Sequence, residues 1–72
     1  MPQLKEQLER IIEEMINRGV RYEDAQREFE KRFIAQALQK TEGNLGKTAD
    51  LLGMHRNTLS RKMAEYRLRR AS

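Results

Sequence analysis

Cysteine and tryptophan are missing from this 72-residue chain, and proline and histidine occur once each, as Pro2 and His55. Without cysteine there is no disulfide and no thiolate metal site, and one imidazole cannot assemble a metal cluster, so neither metal nor cofactor is expected. No apolar run approaches the roughly 18 residues needed to cross a bilayer, and Met1 to Glu6 lack the apolar stretch of a secretory signal. Also lacking are a paired acid/base set, a Gly-rich phosphate loop and a nucleophile with a base beside it, which excludes an enzyme and a small-molecule substrate from the expectations. The chain is expected to be soluble, intracellular and cytoplasmic, with no membrane partner. A chain of this length buries only about 60% of the surface it exposes when unfolded, so self-association is the expected reinforcement of a marginal core.

Charge, by contrast, is plentiful and unevenly placed. The net charge is +4. Residues 1–40 are neutral, with eight Lys/Arg and eight Asp/Glu, and residues 41–54 stand at −1. Residues 55–72 set Arg56, Arg61, Lys62, Arg67, Arg69 and Arg70 against Glu65 alone, for +5. A neutral body with one basic end is the electrostatic footprint of a partner met at that end, most commonly a phosphate backbone. A solvated basic helix is the plainer alternative.

Hydrophobic spacing predicts an all-α fold of four helices. Leu4, Leu8, Ile11, Ile12, Met15 and Ile16 make one helical face that Arg18-Gly19 closes. After a link through Val20, Arg21 and Tyr22, Glu23 and Asp24 open a second helix of about 19 residues. Its expected inward face is Ala25, Phe29, Phe33, Ala37 and Leu38, and Glu42-Gly43 ends it. The two are expected to pair antiparallel as a hairpin over residues 1–43. Asn44 is the expected N-cap of a third helix that buries Leu45, Ala49 and Leu52 and stops at Gly53. A fourth starts near His55 or Arg56, turning Leu59, Met63 and Tyr66 inward and Asn57, Ser60, Arg61 and Ala64 outward. Two short helices hinged at a glycine, the second basic, read as a helix-turn-helix over residues 44–68 with a basic tail at 69–72, and the chain is expected to fray from Arg67 to Ser72.

Each side chain of that unit can be assigned a chemistry. Arg56, at the start of the last helix, can bond two acceptors of a guanine edge at once and is the expected specificity residue. Asn57 and Thr58 suit base or phosphate bonding, Arg61 reaches a base or the flanking phosphate, and Lys62 completes the basic set. Asn44, Lys47 and Thr48 surround the third helix's N-terminus, where free N–H groups favour phosphate. The blander readings stay open: Asn44 purely as a cap, Thr48 as a small residue under the turn, and His55 equally as a cap or a DNA contact.

The first helix carries more large aliphatic surface than one neighbour covers. A dimer core built from Leu8, Ile11, Ile12, Met15, Ile16, Phe29 and Phe33 of two chains is therefore expected. Glu6, Glu9, Glu13 and Glu14 would repel anionic lipid, which disfavours a membrane-surface role for that helix.

Glu28-Phe29-Glu30-Lys31-Arg32-Phe33-Ile34, Glu42-Gly43-Asn44, Lys47-Thr48-Ala49-Asp50-Leu51-Leu52-Gly53 and Arg56-Asn57-Thr58-Leu59-Ser60-Arg61-Lys62 together resemble the Fis-type helix-turn-helix family. That family includes the nucleoid protein Fis and the C-terminal domains of enhancer-binding activators such as the nitrogen regulator. The resemblance spans roughly residues 22 to 68. It implies a homodimer whose first two helices interlace, with a helix-turn-helix at each end set closer together than one DNA turn, so that binding bends the duplex. It also implies DNA contact at His55, Arg56, Thr58, Ser60 and Arg61 and phosphate contact at Asn44. Ser60 stands where Fis has arginine, and Ala64 and Glu65 replace lysines of Fis. Mobile N-terminal arms with recombinase-stimulating activity are not expected, because the chain starts at a helix.

The expected function is sequence-preferring binding of double-stranded DNA by a homodimer, as a bacterial transcription regulator or a DNA-bending protein of the nucleoid. The alternatives are a protein-interaction module with an incidental basic tail, or the excised C-terminus of a larger activator.

Overall fold

A computed structural model describes residues 2–68 and gives four helices in chain order: α1 Pro2–Asn17, α2 Tyr22–Lys40, α3 Leu45–Leu52 and α4 Arg56–Glu65. All are α-helices, and no strand occurs among the described residues. Tyr22, expected in the link, is the first residue of α2, which runs for 19 residues from its N-cap Arg21.

The four helices stop in the same way. At the end of α1, Gly19 N–H donates to the Ile16 carbonyl and Val20 N–H to the Met15 carbonyl, the nested pair of a Schellman turn. Equivalent pairs are Glu42 to Gln39 with Gly43 to Leu38 after α2, Gly53 to Asp50 with Met54 to Ala49 after α3, and Arg67 to Ala64 with Leu68 to Met63 after α4. Each turn needs a left-handed residue, and Gly53 supplies it between α3 and α4 at φ 69 without steric cost. Glu42 and Arg67 fill the same role at φ 55 and 56 despite their side chains. Arg67 and Leu68, expected to begin a frayed tail, are thus part of the closing turn of α4, and Leu68 packs on the core. The expected basic tail at 69–72 lies outside the described residues.

One core holds α2, α3 and α4 together. Ile34 and Leu38 of α2, Ala49 of α3, and Leu59 and Met63 of α4 are buried, with Leu45, Leu52, Met54 and Leu68 packed around them. The close backbone approaches are α2 to α3 and α3 to α4. This cluster crosses the 43/44 boundary, so the second half of α2 belongs to the same packed body as the helix-turn-helix.

The inward face of α2 differs from the expected one. Ala37 and Leu38 are buried as expected, but the third buried residue is Ile34, while Phe29 and Phe33 are more than half exposed. The reason is that α2 carries two apolar stripes. Ile34 and Leu38, four apart, face α3 and α4; Phe29 and Phe33, also four apart with ring centroids 5.4 Å from each other, stand on the other side. That second stripe and α1 flank an open apolar groove that includes Leu8, Ile12, Met15 and Phe29. No residue of α1 is buried.

Candidate nucleic-acid interface

The start of α3 is fixed by Asn44, whose Oδ1 accepts the Lys47 N–H at 2.9 Å. This satisfies one of the donors a helix start leaves free. Behind the cap, the Thr48 hydroxyl donates to the Asn44 carbonyl at 2.7 Å and is hydrogen-bonded to the Thr41 hydroxyl at 2.6 Å. Thr48 is completely buried. The expected phosphate contact through its side chain is therefore corrected: Thr48 ties the α2–α3 turn to the first turn of α3 from inside. Asn44 and Lys47 remain exposed at the surface.

His55 caps α4, its Nδ1 accepting the Asn57 N–H at 3.1 Å. A nitrogen that accepts carries no proton, so in this arrangement the ring's donor is Nε2, on an exposed side chain. Of the two roles left open for His55, capping is observed, and its exposure leaves the outer edge accessible.

From this cap α4 presents two different faces. Leu59 and Met63, one turn apart, are buried. Arg56, Asn57, Ser60, Arg61 and Ala64 are exposed, and Thr58 is half-buried. Arg56 and Arg61 form no salt bridge among the described residues. Their exposed guanidinium groups, the side-chain amide of Asn57 and the hydroxyl of Ser60 supply donors and acceptors suited to base edges and phosphates.

Lys62 was expected in that set and is placed elsewhere. Its Nζ donates to Glu30 Oε1 of α2 at 2.8 Å, in a pair whose side chains are about 30% and 27% exposed. Tyr66 OH donates to the same oxygen at 2.8 Å. The Lys62 bond, seconded by that of Tyr66, holds the Glu30 carboxyl below its ordinary value of 4.5 against a smaller opposing effect of burial. The bond to Glu30 likewise pushes the Tyr66 phenol above 10.0. Sequence reasoning missed Glu30 because its partners lie 32 and 36 residues away; nothing in local spacing announces such a pairing.

No helix among the described residues is long and apolar enough to cross a membrane. No solved structure gives a significant match to the chain. A protein of Xylella fastidiosa (strain Temecula1) named "Putative Fis-like DNA-binding protein" is 45% identical over 42 residues, which are 58% of this chain and 47% of that protein. The chain thus spans about half the length of this relative. The family model described as bacterial regulatory protein, Fis family, matches residues 25–66. That stretch runs from within α2 through α3 to the C-cap of α4 and is more than half of the chain, so the chain belongs to the Fis family of bacterial regulators.

Proposed function

We propose that the chain reads duplex DNA with a sequence preference, as a homodimer, in transcription regulation or in the organisation of the nucleoid. The observation that carries this reading is that α4 buries Leu59 and Met63 while Arg56, Asn57, Ser60 and Arg61 stay exposed. In this reading Arg56 makes the principal base contact, His55, Asn57, Thr58, Ser60 and Arg61 reach neighbouring bases or phosphates, and Asn44 and Lys47 set the register on the backbone.

The dimer rests on α1. Leu8, Ile11, Ile12 and Ile16 are each at least 44% exposed in the single chain, beside Phe29 and Phe33 at more than half. A second copy that covers this stripe gives a two-fold assembly with two reading helices, whose modest affinities combine through effective concentration. Bending of the duplex follows if the two helices sit closer than one DNA turn.

The test is fluorescence anisotropy with random-sequence duplex across a salt series, followed by site selection. Affinity should fall steeply with salt, with a slope near −0.9 per phosphate contacted. Arg56→Ala should then remove about 1–3 kcal/mol of discrimination between the selected site and random duplex. Absence of binding at low salt rejects the DNA reading; undiminished discrimination removes Arg56 from its role.

A further inference from the structure

Leu59 and Met63 anchor α4 by apolar packing, which is non-directional and leaves a ten-residue helix free to roll by small angles. The carboxylate of Glu30 opposes such a roll. It receives Lys62 of α4 and, one turn further on, Tyr66 at the C-cap of that helix, at the same oxygen and at the same 2.8 Å. Rolling α4 lengthens both bonds at once, and charge-assisted hydrogen bonds to an ionised acceptor weaken quickly with misalignment. The pair is also sheltered, with each side chain about 70% covered, unlike the i,i+4 pairs Glu14–Arg18 and Glu28–Arg32, whose side chains are more than half exposed. Lys62 immediately follows Arg61 in the chain, so a helical step of about 100° separates a side chain turned to α2 from one turned to solvent.

We propose that Glu30 is the positioning residue of the reading helix: it fixes the roll of α4 on α2, with Lys62 held as its counter-ion and not offered to phosphate. Because α2 also carries the Phe29–Phe33 stripe of the proposed dimer core, this clamp links that core to the surface that meets DNA. The inference rests on the dimeric, sequence-preferring reading above. In that dimer, the roll of α4 sets the separation and mutual angle of the two reading faces. Glu30 thereby determines which spacing of inverted half-sites the protein accepts, without touching a base.

The experiment compares wild type, Glu30→Gln, Lys62→Met and Tyr66→Phe by anisotropy across salt, using inverted half-sites at a graded series of spacings. Circular dichroism and light scattering report fold and mass of each protein. Wild type should show a sharp optimum of spacing. Glu30→Gln should flatten it to within a few-fold across neighbouring spacings, and should steepen the salt slope by up to about 0.9 per subunit as Lys62 is released to phosphate. Lys62→Met should flatten the optimum with an unchanged salt slope, and Tyr66→Phe should flatten it partly.

A Lys62→Met slope shallower by about 0.9 per subunit makes Lys62 a phosphate contact and overturns the inference. Wild-type spacing optima in Glu30→Gln and Tyr66→Phe overturn it too. Should Glu30→Gln fail to fold, Tyr66→Phe and Lys62→Met decide the question alone. Failure of wild type to bind any duplex overturns the DNA reading itself and this inference with it, an outcome distinct from normal binding with unmoved optima.

Discussion

Leu59 and Asn44 illustrate how differently single residues hold this small protein together. Leu59 has no exposed surface and sits where α2, α3 and α4 meet. Truncation there leaves a void that a core of so few residues cannot refill, so Leu59→Ala should cost about 2–5 kcal/mol. Asn44 acts through one bond, Oδ1 to the Lys47 N–H, and Asn44→Ala should cost about 1 kcal/mol by exposing that donor to water. Urea denaturation followed by circular dichroism should rank them in that order. A larger loss at Asn44 would mean that the Thr48 and Thr41 hydroxyls behind the cap are disturbed with it.

At the scale of elements, the α2–α4 clamp carries a pH signature. The Glu30 carboxyl is depressed below 4.5 by Lys62 and then Tyr66, so its contribution is complete above the ordinary value and is lost as pH falls through the depressed one. Tyr66 is raised above 10.0 by Glu30, so its contribution is complete below the ordinary value and is lost as pH rises through the raised one. Thermal melts across pH should therefore show wild type falling further than Glu30→Gln in acid, below about pH 4.5, with Tyr66→Phe lacking part of the loss above about pH 10. Identical acid limbs for wild type and Glu30→Gln would remove the pair from the stability of the fold.

The same scale shows what the sequence discloses and what it withholds. The ends of α1, α2 and α3 are legible at Gly19, Glu42-Gly43 and Gly53 because a helix stop is a local event, decided by residues that tolerate left-handed backbone. The exposed face of α4 is legible from the spacing of Leu59 and Met63. Two stripes on α2 are harder, since Phe29 and Phe33 outweigh Ile34 in bulk and attract an assignment to the core that burial gives to Ile34. The surroundings of Thr48 and Lys62 are hidden for one reason: the direction of a side chain near the edge between two faces depends on what the neighbouring segment offers. Thr41 offers a hydroxyl and Glu30 a carboxylate, and neither position follows from periodicity.

At the scale of the whole molecule, the buried cluster and the α1 stripe are independent. Ile12 and Ile16 are exposed and are not members of the core formed by Ile34, Leu38, Ala49, Leu59 and Met63. Replacing both with aspartate should leave the α2–α4 unit folded, yield a monomer by light scattering, and weaken duplex binding by roughly 10²- to 10⁴-fold through loss of the second reading helix. A double variant that stays dimeric and binds as wild type does would reject the α1 stripe as the dimer core.

Since α1 is 16 residues long and none of its residues is fully buried in its own chain, it stands near the length at which an isolated helix is only marginally formed. If a second copy supplies the missing cover, the completed protein becomes a matter of dosage. Scarce chains hold a finished reading unit and an unfinished stem, and abundance completes the stem by mass action, so that the melting temperature and the hold on DNA both rise with the amount the cell makes.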